Sequence, residues 1–310
     1  MPEVESVPPG AGGAKSVSAV LDWTLLLSPG LIWGASFLFI AESLEAIAPN
    51  GLTFVRLLTG FVTLSFFPGV RAPVAKGDWK GIIVLGVLWY AFPMFLFPIA
   101  QQHVASALAG MLNSVAPMVA VLAASITTRQ WPLRGVIAGL VIGFAGAVMM
   151  GLPGIRAGGS EAGGIIMIIV AMASYGVALN VARPLQQRNG AMPVVWRALA
   201  VAVLLTAPFG IPDVPHAHWT TRSALSMLVL GVFGTALANI AMSVAAGRLG
   251  VARASATTFL IPVVSLILGV AVRNETVATL SLIGIVPCLA GAWIIRRATL
   301  RHSAVAGDPR

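Results

Sequence analysis

The stretch GVIAGLVIGFAGAVMM (residues 135–150) recurs in looser form as LSLIGIVPCLAGAWII (residues 280–295). The match extends well beyond these sixteen positions. Sliding residues 86–150 along the chain by 145 positions lays them on residues 231–295 without a gap. Pro117 falls on Pro262, Gly139 on Gly284, and Ala145-Gly146-Ala147 on Ala290-Gly291-Ala292. This register gives 13 identities in 65 positions, against about one in twelve expected for so Ala- and Val-rich a composition. Both copies consist of long apolar runs, so the chain reads as a duplicated bundle of spans. In membrane proteins, paired halves of this kind point to a carrier with its site between them.

The composition agrees. Of 310 residues, 58% are hydrophobic and 9% charged, which excludes an ordinary soluble domain. About 20 apolar residues cross the hydrocarbon core as a helix. Successive apolar runs lie at 23–43, 51–70, 80–101, 105–127, 132–151, 163–183, 192–211, 224–246, 251–272 and 277–295. The expectation is an all-α integral membrane protein of ten transmembrane helices. Barrel strands would instead alternate apolar and polar over about ten residues. The net charge of +9 sets topology and does not indicate a nucleic-acid partner. With the N-terminus in the cytoplasm, 14 of the 19 basic residues fall inside. Arg156, Arg222 and Arg273 fall outside, and Arg56 and Arg197 lie within spans. That bias places both termini in the cytoplasm. Residues 1–21 and 297–310 read as cytoplasmic tails, the first disordered.

The repeat extends more loosely over the first two spans of each half, where Trp33-Gly34 answers Tyr175-Gly176 and Arg56 answers Arg197. Each half then holds five helices, over 22–151 and 163–296. Five is odd, so the second copy enters the membrane from the opposite side. The halves become inverted repeats about an axis in the membrane plane, the arrangement behind alternating access.

Trp33-Gly34-x-Ser36-Phe37, Pro49, Arg56 and Asn113-Ser114-x-Ala116-Pro117 carry a family resemblance, as do Leu260-Ile261-Pro262-Val263-Val264, Glu275 and the Gly284…Ala290-Gly291 helix. Together they resemble the EamA-type family of the drug/metabolite transporter superfamily, over about 22–297. The resemblance implies a ten-helix carrier of the bacterial inner membrane that exports amino acids or other small metabolites. One position departs. Where the family often has a Glu after the fourth helix this chain has Gln130, while Glu275 is present in the second half.

Several residues are candidates for the substrate cavity. Pro117 and Pro262 free a backbone carbonyl at symmetric mid-span positions and are candidates for kinks or gates. Gly110, Asn113 and Pro117 share one helical face, as do Ser255, Thr258 and Pro262. Asn113 and Thr258 read as cavity residues, although small and polar residues also serve close packing. Trp33, Ser36, Tyr90, Tyr175, Asn180 and Asn239 supply an aromatic surface and hydrogen-bonding groups, which suit a small amphipathic ligand. Thr235 stands at the repeat position equivalent to Tyr90. Arg56 and Arg197 are intramembrane charges that either bind an anionic group or act as structural locks reaching the interface. Their shallow depth in the second helix of each half favours the structural role. Glu42 ends the first helix near the outer surface, too shallow for a proton-coupling acid, and Glu275 reads as a turn anchor.

No catalytic constellation is present. His216-x-His218 lacks ligands beyond Asp213, so no metal is expected. No phosphate-binding Gly loop is present, and no cofactor is expected. The expected partners are the lipid bilayer and a small-molecule substrate. The function expected is a secondary carrier with a central cavity, moving a small neutral or zwitterionic metabolite such as an amino acid. Efflux of hydrophobic drugs and a non-transporting membrane scaffold or sensor stand as alternatives. Cargo, coupling ion and oligomeric state are not legible from these residues.

Overall fold

The computed structural model describes residues 11–250 and 254–305. Those residues contain no strand. Among them, nine helices are long and apolar enough to cross a membrane, and the protein is a multi-pass helical membrane protein. With one shorter helix they are α1 (Val20–Ser43), α2 (Pro49–Ser65), α3 (Lys76–Gln101), α4 (Ser106–Thr127) and α5 (Arg134–Ala157), then α6 (Gly159–Asn189), α7 (Ala191–His216), α8 (Thr221–Leu249), α9 (Ala256–Arg273) and α10 (Thr279–Arg301). Of the segments expected as tails, residues 1–10 and 306–310 lie outside the described residues, as does Arg253. Helix is continuous into α1 from Ala11 and runs on from α10 to Val305.

The second apolar run, expected over 51–70, is shorter than its hydropathy implies. Pro49 opens α2 at a position where its missing N–H costs nothing. The helix stops at Ser65, just before Phe66-Phe67-Pro68-Gly69. Pro68 disfavours helical backbone in the residue before it, and Gly69 adopts a left-handed φ of 82°. The 17 residues of α2 therefore fall outside the nine.

Irregularities in the helices repeat along the chain. A π-helical segment interrupts α3 at Gly86–Ala91 and another interrupts α8 at Leu230–Leu237. A 3₁₀ turn at Asn113–Val115 precedes Pro117, and one at Ser255–Phe259 precedes Pro262. Pro117 and Pro262 each sit in the opening turn of the α-helix that resumes, where proline is tolerated. Past α4 and α9 the chain turns on two non-glycine residues with left-handed backbone, Arg129 (φ 53°) and Asn274 (φ 54°). Those two are again 145 positions apart.

Helix pairing is reciprocal. α1 packs on α8 and α9, while α6 packs on α3 and α4. α2 packs on α8 as α7 packs on α3, and the pairs α2–α7, α4–α9 and α5–α10 join like to like. The α5–α10 contact is backbone on backbone. A methyl at Gly139 would stand 2.7 Å from the Gly291 carbonyl oxygen, and one at Gly284 would stand 2.7 Å from the Gly146 carbonyl oxygen. Small residues permit such approach between spans. Exposed Val141, Leu204 and Val286 mark the apolar outer surface of the bundle.

Candidate functional site

Loops from both halves meet at one end of the bundle. Glu42, at the end of α1, is only 3% exposed and accepts hydrogen bonds from Arg273 at 2.6 Å and Arg222 at 2.8 Å. Arg273 also reaches Glu45 at 3.0 Å and lies 3.7 Å from Glu275. Glu275 in turn accepts the Ser106 amide (3.0 Å), the Ser106 hydroxyl (2.8 Å) and the Ala107 amide (2.8 Å). It therefore caps α4 across 169 residues of sequence rather than anchoring its own turn. Orphan amides at a helix N-terminus favour a carboxylate there. Asp213 does the same for α2, accepting the Gly51 amide at 2.9 Å, so this acid is engaged away from His216 and His218. At the opposite end, Asp78 pairs with Arg188 (2.6 Å) and Asn189 (2.7 Å), and Asp22 pairs with Arg248 (2.9 Å).

Between these ends the structure brings most of the expected site residues into two groups. The first gathers around Arg56, which is 6% exposed. Its Nε donates to the Thr235 hydroxyl at 3.1 Å, and that hydroxyl donates to the Leu230 carbonyl at 3.0 Å. This five-residue reach exists because α8 is π-helical at that point. Trp33 Nε1 donates to the Gly234 carbonyl at 3.0 Å. A methyl built on Gly234 would stand 3.1 Å from Ser36 Oγ and 3.7 Å from Arg56 Nη2. The Tyr175 ring stacks on Phe97 at 6.3 Å, and Tyr90 is packed in one buried cluster with Leu57 and Ala236. Trp33, Ser36 and Arg56 thus converge from α1 and α2 on the broken segment of α8, with Tyr90 of α3 in the cluster beside it.

The second group is a cavity of about 80 Å³ lined by Asn113, Pro117, Leu179, Thr258, Phe259 and Leu289, among others. It sits where the two 3₁₀ turns of α4 and α9 face each other beside α10. Pro262 is absent from its lining. Gly110 serves packing instead of cavity, because a methyl there would run into Ser265 and Phe37. The two remaining amides are spent on backbone. Asn180 donates to the carbonyls of Ala120 and Gly176, both at 2.9 Å, and Asn239 donates to Thr235 at 2.8 Å. Asn180 braces α6 on α4.

The sequence profile of the EamA-like transporter family matches residues 23–152 and again residues 162–297. The chain belongs to the EamA-like transporter family. A probable terminal-alkyne amino-acid exporter of Streptantibioticus cattleyicolor is 26% identical over 292 residues, covering 93% of this chain and 97% of that protein. An uncharacterized transporter of Bacillus subtilis, YdfC, is 23% identical over 283 residues, covering 89% and 90%. A chloroplastic WAT1-related protein of Arabidopsis thaliana is 23% identical over 291 residues, covering 89% and 69%. A solved crystal structure at 19% identity superposes with a TM-score of 0.57 over 87% of this chain and 98% of that one, a likeness of fold.

Within this EamA-like chain the two intramembrane arginines part company. Arg197 turns to the bundle surface, with Nη1 bonded to the Pro193 carbonyl (3.1 Å) and its guanidinium over Trp79 and Trp196. Arg56 does not reach the surface. The packing register supplies the reason. Gly231 of the α8 break lies against Thr59 and the Arg56 carbonyl, whereas its repeat counterpart Gly86 lies against Val201 and the Ala198 carbonyl, so Ala198 and not Arg197 stands where Arg56 does. The Tyr90 ring, at the repeat position of Thr235, is fully buried. Thr235 and Gly234 had no mark in the sequence beyond their alignment with Tyr90 and Trp89.

Proposed function

We propose that this protein is a secondary carrier of the bacterial inner membrane that exports a small zwitterionic metabolite, an amino acid being the favoured cargo, by alternating access. The observation that carries this reading is the reciprocity of helix pairing between the two family-matched segments, together with irregularities spaced 145 residues apart. That pattern supports ten spans arranged as two inverted five-helix repeats. The 17 residues of α2 reach about 26 Å as a helix, near the lower limit for a span. Basic residues concentrated at the Asp78 end support cytoplasmic termini.

In this reading the Glu42 cluster closes the outer side. The Arg56 group and the Asn113 cavity form one path, joined through Phe37, which contacts Gly110 and meets Phe97 edge-on at 5.4 Å. Rocking of the halves about the rigid α5–α10 pair alternates access. Outward direction and amino-acid cargo rest on kinship with the named exporter.

The test is counterflow in proteoliposomes preloaded with each of the twenty protein amino acids. Accumulation of the matching labelled compound by at least one of them is expected, with loss in Trp33→Ala. Absence of counterflow with all twenty, alongside resistance to unrelated lipophilic compounds on overexpression, refutes the amino-acid reading in favour of drug efflux.

A further inference from the structure

Arg56 is a buried cation without a counter-ion among the described residues. Its guanidinium carries five N–H donors, and among those residues it has one hydrogen-bond acceptor, the Thr235 hydroxyl, and no paired carboxylate. Glu42, the buried acid of α1, is already engaged by Arg222 and Arg273. A charge removed from water is costly unless paired, and a membrane interior makes the cost greater. Gly234 brings the α8 backbone close to the guanidinium: a methyl there would stand 3.1 Å from Ser36 Oγ and 3.7 Å from Arg56 Nη2. Trp33, bonded to the Gly234 carbonyl, supplies ring surface beside it. π-helical breaks of this kind concentrate at functional sites.

We propose that Arg56 is the specificity-determining anchor for a substrate carboxylate. Its free Nη edge would take the two carboxylate oxygens as a bidentate pair, while the Ser36 hydroxyl stays bonded to the Ile32 carbonyl at 2.9 Å. Charge counting selects a carboxylate over a phosphate ester. One guanidinium neutralises one negative charge, and among the described residues no second cation is paired with Arg56 to meet a dianion. Among those residues the second half holds no copy of the site, because Tyr90 stands at the repeat position of Thr235 and Arg197 is turned to the surface. This inference rests on the carrier reading above and narrows its substrate class.

The experiment is thermal stabilisation of the detergent-purified full chain, since a ligand of the folded state raises its melting temperature. Three probe pools are used: the twenty protein amino acids, their carboxamides, and short-chain and aromatic monocarboxylates. Wild type should respond to the amino acids and not to the carboxamides. Arg56→Gln, which removes an unpaired buried charge and should still fold, should lose at least tenfold in apparent affinity. Arg56→Lys should retain part of the response, and Arg197→Gln should keep the preference for acid over amide. A response to monocarboxylates alone, lost in Arg56→Gln, supports the anchor and overturns the amino-acid cargo. Wild-type response of Arg56→Gln to amino acids overturns the anchor and leaves the cargo standing. Equal response of wild type to acids and amides, or none to either carboxylate pool, also overturns the anchor.

Discussion

The α5–α10 contact makes a quantitative prediction through Gly146→Ala. A methyl added there would stand 2.6 Å from the Gly284 carbonyl oxygen and 2.9 Å from Cys288 Cα. Both are backbone atoms that cannot rotate away. Ordinary contact begins about 0.8 Å further out than the carbonyl distance, so the helices must separate by most of that. A gap of about 0.5–1 Å forfeits a quarter to a half of each dispersion contact nearby. Overpacking against a fixed neighbour costs about 1–3 kcal/mol. Alanine returns about 1 kcal/mol over glycine in a helix, leaving a net loss of up to about 2 kcal/mol and a deficit of about 1–3 kcal/mol against a site where only the propensity gain operates. Gly163→Ala in α6 is the control, because nothing lies within 4 Å of its added methyl. Only the propensity gain operates there, at most about 1 kcal/mol. Reversible unfolding in mixed micelles, titrated with dodecyl sulfate, measures both. If Gly146→Ala proves as stable as Gly163→Ala, the two helices do not meet backbone to backbone and the scaffold argument fails.

Thr235→Val removes the acceptor of the Arg56 Nε–H and leaves the guanidinium unsatisfied. The same unfolding titration should show a loss of about 1–3 kcal/mol, with Thr235→Ser close to wild type. Glu275→Ala takes away three hydrogen bonds at the start of α4 and should cost about 1–2 kcal/mol. Glu275→Gln should cost less, since an amide oxygen can still accept; equal stability of all three proteins would show that the cap contributes nothing. Cys288 is fully buried and within 3.1 Å of the Ser114 hydroxyl. Maleimide should modify it only as the protein unfolds, and rapid labelling of the native protein would show that this face of α10 is open.

Much of the architecture is legible in the sequence because hydropathy runs and a fixed offset are one-dimensional signals. Nine of the apolar runs appear as helices long enough to span, and the glycines aligned by the offset, Gly139 with Gly284 and Gly146 with Gly291, lie in the contact between α5 and α10. What depends on pairing across the chain is not legible. Glu275 gives no sign that its partner is Ser106, because the contact requires α9 to end beside the start of α4. Asn180 and Asn239 look like cavity groups on a helical wheel. A short amide on a helix can instead bond a carbonyl one turn back, as both do. The π-segments have no composition signature, and without them neither Thr235 nor Gly234 stands out.

Duplication gives this bundle two nearly equivalent frameworks, so the informative positions are those where equivalence fails at the same depth. Both halves place an arginine in their second helix and a π-break in the helix that faces it. In the second half Ala198 takes the position of Arg56 against the break, and Arg197, one residue earlier, settles at the surface against carbonyls and indole rings. On the other break a threonine and a glycine admit the arginine and hold it by one hydrogen bond. Selection for stability alone would favour the surface solution twice, since an unpaired interior cation is the more costly arrangement. In the carrier reading, keeping it in one half alone leaves one buried, unpaired positive site among the described residues. That arrangement suits a carrier that binds one singly charged group per cycle, and stability alone does not explain it.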